Sequence, residues 1–272
     1  MSKKLPFEFF IVIAEHRSGS TFFKNAISIQ KDILFYSTAG LEKSFSTFGK
    51  TSDYRSHKKK RSNFRHGESG KLIVKLAHPI LLKNKGDKKL FGFKCHPHRV
   101  LEIPNYFEFL KSKNARIILL TRTNALLRYI SIKTHKQIRT SPKSCNESRN
   151  SPIIFKLNPL KVNYNKFIEY KNKIEKYNKK LRENISNYNL PYVHITYEEL
   201  CENFDQCFYK IFDFLDLDKN SIVNAKGKDG SICGSKKINV YKLQDKILNY
   251  AEFKKAAEDN NDIETLNFLK EE

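Results

Sequence analysis

The residues Phe9-Phe10-Ile11-Val12-Ile13-Ala14-Glu15-His16-Arg17-Ser18-Gly19-Ser20-Thr21 constrain this chain more than any other stretch. An apolar, β-branched run ends abruptly in a small, hydroxyl-rich turn with a cation just before the glycine. The next residues, Phe22 to Ile27, can continue as a helix. Strand, tight turn and helix N-terminus together make a cradle for phosphate. The first N–H groups of a helix have no intrahelical acceptor and point at an anion. Here Gly19 to Phe22 supply the N–H groups, Ser20 and Thr21 add hydroxyls, and Arg17 adds charge.

A Walker loop has the form G-x-x-x-x-G-K-[ST]. Laid on Ala14 to Thr21, its second glycine falls on Gly19 and its hydroxyl residue on Thr21. Its first glycine is Ala14, and its lysine is replaced by Ser20. A kinase or nucleotide hydrolase built this way lacks the lysine that reaches the β- and γ-phosphates. The cation has moved ahead of the glycine, to Arg17.

The chain has 272 residues, enough for one α/β domain carrying insertions. Phe and Tyr, 21 and 13 of them, provide bulky core material in a chain without Trp. A formal net charge of +22 favours a polyanion or a ligand with several phosphates. Because the excess is spread along the whole chain, general over-use of surface lysine accounts for it equally well. Cys95, Cys145, Cys201, Cys207 and Cys233 form no C-x-x-C pair, so neither a disulfide framework nor a zinc site is indicated. No apolar stretch reaches the ~18 residues of a membrane span, and the first apolar run belongs to the phosphate-loop strand rather than to a leader. A cytoplasmic protein in a reducing compartment is expected.

Along the chain, residues 7–14, 90–95, 116–121 and 192–196 read as strands. Helices are expected at 21–30, 124–136, 164–188, 203–215 and 244–257. Tyr164, Phe167, Ile168, Ile174, Tyr177, Leu181, Ile185 and Tyr188 recur at helical spacing, which marks a core stripe. Residues 44–71, with Lys58-Lys59-Lys60-Arg61 at their centre, read as a basic surface insertion. Residues 138–161 read as a long loop. Alternating strands and helices predict a three-layer α/β sandwich with a mostly parallel central sheet, in one domain over 1–272. Ligands of such sheets sit at the carboxyl ends of the strands. His96, Arg122 and Tyr197, like the first turn, follow strand ends.

Each of these ends carries usable chemistry. Arg122 at a strand end and Ser131 on the next helix can clamp one phosphate from two sides. Phe93-Lys94-Cys95-His96-Pro97 places a cation and an imidazole on one turn, with His98 two residues on. An imidazole titrating near neutrality suits the removal of a hydroxyl proton.

In this order the segments resemble sulfotransferases that use 3′-phosphoadenosine 5′-phosphosulfate (PAPS). Arg17-Ser18-Gly19-Ser20-Thr21-Phe22 is similar to their 5′-phosphosulfate loop, and Arg122 with Ser131 to their 3′-phosphate motif. The interval of nine residues between Arg122 and Ser131 is one longer than cytosolic members commonly use, about 100° of helix rotation. Phe93 to Pro97 resembles the Lys-Thr-His-x-Pro segment. Tyr192 to Leu200 with the helix ending at Phe214-Leu215 resembles the strand, Tyr-Glu-Asp/Glu-Leu and helix of the family.

The resemblance runs from Phe9 to about Ala257. It implies a P-loop NTPase-like sulfotransferase fold, PAPS as co-substrate and no metal. It also implies His96 as general base, Lys94 near the transferred sulfuryl group, Arg17 stabilising the leaving 5′-phosphate, and Tyr197 against adenine. A C-terminal basic loop closes over the 3′-phosphate in the family. Lys236 and Lys237 are favoured for it here, with Lys226-Gly227-Lys228 the alternative. The acceptor is a hydroxyl, or an amine, of a glycan, lipid or small metabolite; nucleic acid is not expected. A carboxylate base, as in many carbohydrate-type members, stays open, as do a P-loop kinase, a non-enzymatic polyanion-binding protein and a nucleotide binder without turnover. The acceptor and the oligomeric state are not written in the sequence.

Overall fold

The computed structural model describes residues 9–36, 88–140, 159–223 and 242–270. The chain groups into two compact units. The first holds residues up to Thr121 together with Tyr177–Lys236, and the second holds Arg122–Lys176 together with Lys237–Glu272.

The first unit is built on a five-stranded sheet in which every pairing is parallel. Its strands are β1 (Phe9–Ala14), β2 (Ile33–Tyr36), β3 (Leu90–Cys95), β4 (Arg116–Thr121) and β5 (Tyr192–Thr196), in the spatial order β2-β3-β1-β4-β5. β1 lies at the centre and is buried along its whole length. This is why its sequence is apolar without alternation: helices cover both faces. β5, at one edge, alternates buried Val193 and Ile195 with exposed Tyr192 and His194.

Alternate residues of the central strands enter opposite cores. On one face Phe10, Val12 and Ala14 pack with Ile118 and Leu120, with Phe23, Ala26 and Ile27 of α1 (Ser20–Ser28), and with Phe208, Ile211 and Phe212 of a later helix. On the other, Phe9, Ile11 and Ile13 pack with Ile117 and Leu119 and with α2 (Pro97–Glu102) and α3 (Tyr106–Ser112). Leu181 and Ile185 add to that layer. At Gly92 on β3 a Cβ would overlap the Phe10 ring, so glycine there allows the aromatic side chain to lie flat across the neighbouring strand.

The second unit has its own core. Leu126, Tyr129 and Ile130 of α4 (Ala125–Thr140) pack with Phe167 of α5 (Tyr164–Asn187). Ile247, Phe253, Phe268 and Leu269 from the C-terminal region complete it.

The α/β class and the parallel sheet match the expectation from sequence. Some elements differ. β2, α2 and α3 were not foreseen, being only four, six and seven residues long. The single helix expected at 244–257 is instead two. The remaining helices are α6 (Tyr197–Glu202), α7 (Phe204–Phe214), α8 (Leu243–Lys246), α9 (Tyr250–Asp259) and α10 (Ile263–Lys270). The break falls at Ile247 because the backbone there bonds to Leu160. Leu160 N–H donates to the Lys246 carbonyl, and Leu248 N–H donates to the Leu160 carbonyl. The insertion at 44–71 lies outside the described residues, as do residues 141–158 of the second.

Candidate functional site

Sheet register brings the strand ends of the first unit level with one another. Ile13 pairs Cys95, Ala14 pairs Leu120, and Thr121 pairs Thr196. The turn after β1, His96 after β3 and Tyr197 after β5 therefore leave the same carboxyl edge.

The turn itself is bent by two left-handed residues, Arg17 at φ 64 and Gly19 at φ 75. Arginine rarely adopts that conformation, and an outlier of this kind is characteristic of functional turns. Ser18 is fully buried, and its Oγ donates to the Glu15 carbonyl at 2.8 Å, closing the loop on itself. Gly19 is required twice over, by its φ and by its neighbour: a Cβ there would overlap the Tyr197 ring. Tyr197 is held in place by the start of α6, where Thr196 and Glu199 form a capping box. Phe22 meets Tyr197 edge-on at 6.5 Å. Tyr197, which the resemblance sets against adenine, packs on the turn at Gly19.

A lysine for the position the turn lacks arrives from the neighbouring strand, β3. Lys94 Nζ donates to Ser20 Oγ at 2.7 Å. Ser20 occupies the Walker-lysine position, so β3 returns a cation to the place the loop sequence left without one. Burial lowers the Lys94 pKa, chiefly through loss of water. Thr21 is exposed on the first turn of α1, whose first turn carries no acidic residue.

His96 is half-buried beyond β3. Its Nδ1 lies 2.8 Å from the Ala14 carbonyl, which can only accept. Nδ1 therefore bears the proton and Nε2 the lone pair. Burial, then the Lys94 charge, push the His96 pKa down to about 3. Two further imidazoles stack with it, His16 at 3.8 Å and His98 at 5.7 Å between ring centroids. His16 was part of the motif read from sequence but was given no role there. His98 sits on α2 within the same stack. Beside them Cys95 is buried, which raises its thiol pKa to about 11 and keeps it unreactive.

Arg122 and Ser131 belong to the second unit. Arg122 is half-buried directly after β4; Ser131 is buried on α4. Between them the structure shows a residue that the sequence reading passed over. Arg128 is almost wholly buried, its Nε donates to the Tyr170 hydroxyl at 2.7 Å, and its guanidinium lies 5.3 Å over the Tyr170 ring. Burial raises the Tyr170 pKa, and the charges of Arg128 and Arg122 oppose that rise. The signal was available: Arg128 and Ser131 are three apart and share a helix face. Asn124 fixes the start of α4 by accepting from Leu127 N–H at 2.8 Å. Lys236 and Lys237, and the alternative Lys226 and Lys228, lie outside the described residues.

Among the described residues no helix is long and apolar enough to cross a membrane, and no three His, Cys, Asp or Glu side chains are placed to hold a metal ion.

No family model matches the sequence, and no curated protein matches it. Solved structures do align. A sulfotransferase domain from the curacin biosynthetic pathway is 14% identical, with a TM-score of 0.45, over 87% of this chain and 81% of its own. Mouse sulfotransferase SULT7A1, complexed with PAP, is 14% identical with a TM-score of 0.45, covering 97% and 87%. A sulfotransferase from Alicyclobacillus acidocaldarius is 12% identical with a TM-score of 0.46, covering 97% and 96%.

Proposed function

We propose that this chain is a PAPS-dependent sulfotransferase acting on a hydroxyl or amine of a glycan, lipid or small metabolite. The observation that carries the proposal is the Lys94–Ser20 contact at 2.7 Å, beside an imidazole whose Nε2 holds the lone pair. A cation, a helix N-terminus and a base thus occupy one sheet edge, which suits transfer of an anionic group to a hydroxyl.

In the proposed reaction the acceptor oxygen attacks sulfur and the new O–S bond forms. The bond from sulfur to the bridging oxygen of the 5′-phosphate breaks, and its electron pair leaves with adenosine 3′,5′-bisphosphate. The acceptor proton goes to His96 Nε2. Loop N–H groups, Arg17 and Lys94 stabilise the charge that develops on the leaving phosphate. Arg122 and Ser131 are proposed for the 3′-phosphate, with Lys236 and Lys237 closing over it, and Tyr197 for the adenine. One domain and a cytoplasmic setting are parts of the same proposal.

Calorimetry with adenosine 3′,5′-bisphosphate tests it. Saturable binding is expected, and no binding at near-millimolar nucleotide would overturn it. Magnesium-dependent ATP hydrolysis would favour a kinase instead.

A further inference from the structure

The sequence reading gave His16 no role, yet among the described residues its ring is the nearest aromatic neighbour of His96. The centroids are 3.8 Å apart and the planes 27° from parallel. His98 completes the stack, 5.7 Å from His96 and 6.1 Å from His16. The Nδ1 bond to the Ala14 carbonyl secures one edge of the His96 ring. A single hydrogen bond leaves the ring free to tilt about that edge. Face-to-face packing removes the tilt, so bond and stack together define where Nε2 points.

His16 itself stands among cationic side chains. The groups facing it are Arg17 on its own loop, Lys94 on β3, and His98 and Arg99 on α2, with His96 stacked upon it. All are cationic or can become so. Burial of its packed face, and then these charges, hold His16 below its ordinary pKa.

We propose that His16 is a positioning residue for His96. It holds the imidazole plane by stacking. The proposal rests on the sulfuryl-transfer reading, in which His96 is the base, but its first test does not depend on turnover.

The experiment uses the full chain with labelled histidine and compares wild type, His16→Phe and His16→Ala by nuclear magnetic resonance at pH 7.5. His96 is assigned from His96→Gln. Wild type and His16→Phe should show one dominant Nδ1–H tautomer at His96. His16→Ala should show averaged tautomers. Unchanged His96 signals in His16→Ala would overturn the proposal, and so would a His16→Phe spectrum as averaged as that of alanine.

The second arm measures desulfation of p-nitrophenyl sulfate dependent on adenosine 3′,5′-bisphosphate. His16→Ala should lower kcat about tenfold, with KM for the nucleotide within about threefold, and His16→Phe should recover most of the loss. Equal kcat in all three proteins would overturn the proposal. If wild type neither turns over nor binds the nucleotide, the sulfotransferase reading fails, while the tautomer comparison still decides whether His16 positions His96.

Discussion

At the scale of single residues, the site depends on a few atoms with narrow roles. His96→Ala removes the proposed base but no phosphate contact. It should abolish sulfuryl transfer while nucleotide affinity, read by calorimetry, stays within about threefold, or ~0.7 kcal/mol. The His96 pKa is depressed in the fold, so between its ordinary value of 6.5 and about 3 the unfolded chain binds more protons than the native one. Stability from this group is present above the ordinary value and is lost as pH falls through that window. His16 and His194 shift in the same direction. Thermal melting should therefore fall as pH drops from 7 to 4, and less steeply in His96→Gln. An equally steep fall in that variant would count against the assignment. Gly19→Ala adds strain at a positive φ and drives a methyl group into Tyr197. A loss of about 1–3 kcal/mol is expected in denaturant melts, together with weakened nucleotide binding. Gly19 and Arg17 could be read from the chain, because short-range backbone geometry dictates them. The partners of Ser20 and His96 could not: Lys94 and Ala14 lie 74 and 82 residues away.

At the scale of elements, the start of α6 shows how a local signal positions a distant side chain. The Thr196 hydroxyl accepts from Glu199 N–H, and the Glu199 carboxylate accepts from Thr196 N–H. Thr196→Ala should cost about 1 kcal/mol in urea unfolding, whereas Thr196→Ser should cost far less. The alanine variant should also weaken nucleotide binding, because Tyr197 is the first residue of the helix set by this cap. β1, β3, β4 and β5 were legible because their apolar runs are five or six residues long and end at clear turns. β2 was not, since four residues carry too little pattern to separate a strand from a loop. α2 begins at Pro97, a good first helical residue, but six residues are too few to show a 3.6-residue period. The division of the C-terminal helix was hidden for another reason. It depends on the pairing of Ile247 with Leu160, a contact that local propensity does not encode.

At the scale of the whole molecule, the net charge of +22 sets how anions approach. Adenosine 3′,5′-bisphosphate affinity should fall as salt rises, since exposed Arg17 is screened over a Debye length of ~10 Å at 0.1 M. A salt-independent affinity would contradict an electrostatic loop. Arg122→Ala should weaken this nucleotide by about 1.5–3 kcal/mol and leave adenosine 5′-monophosphate nearly unchanged, because only the former carries a 3′-phosphate. Equal losses for both would remove Arg122 from its proposed role. The sequence by itself determined the α/β class, the buried first strand and the tight turn that follows it. These follow from local periodicity, from the abrupt change at Glu15, and from the few conformations open to a Ser-Gly-Ser turn. Only the tertiary structure decided that β3 lies beside β1, in register from Phe9–Phe91 to Ile13–Cys95. That register delivers Lys94 to Ser20 and His96 to the Ala14 carbonyl, and it sets His96 against the His16 ring. Strand order is a long-range outcome of burying both faces of the sheet, and no window of sequence around the turn contains it.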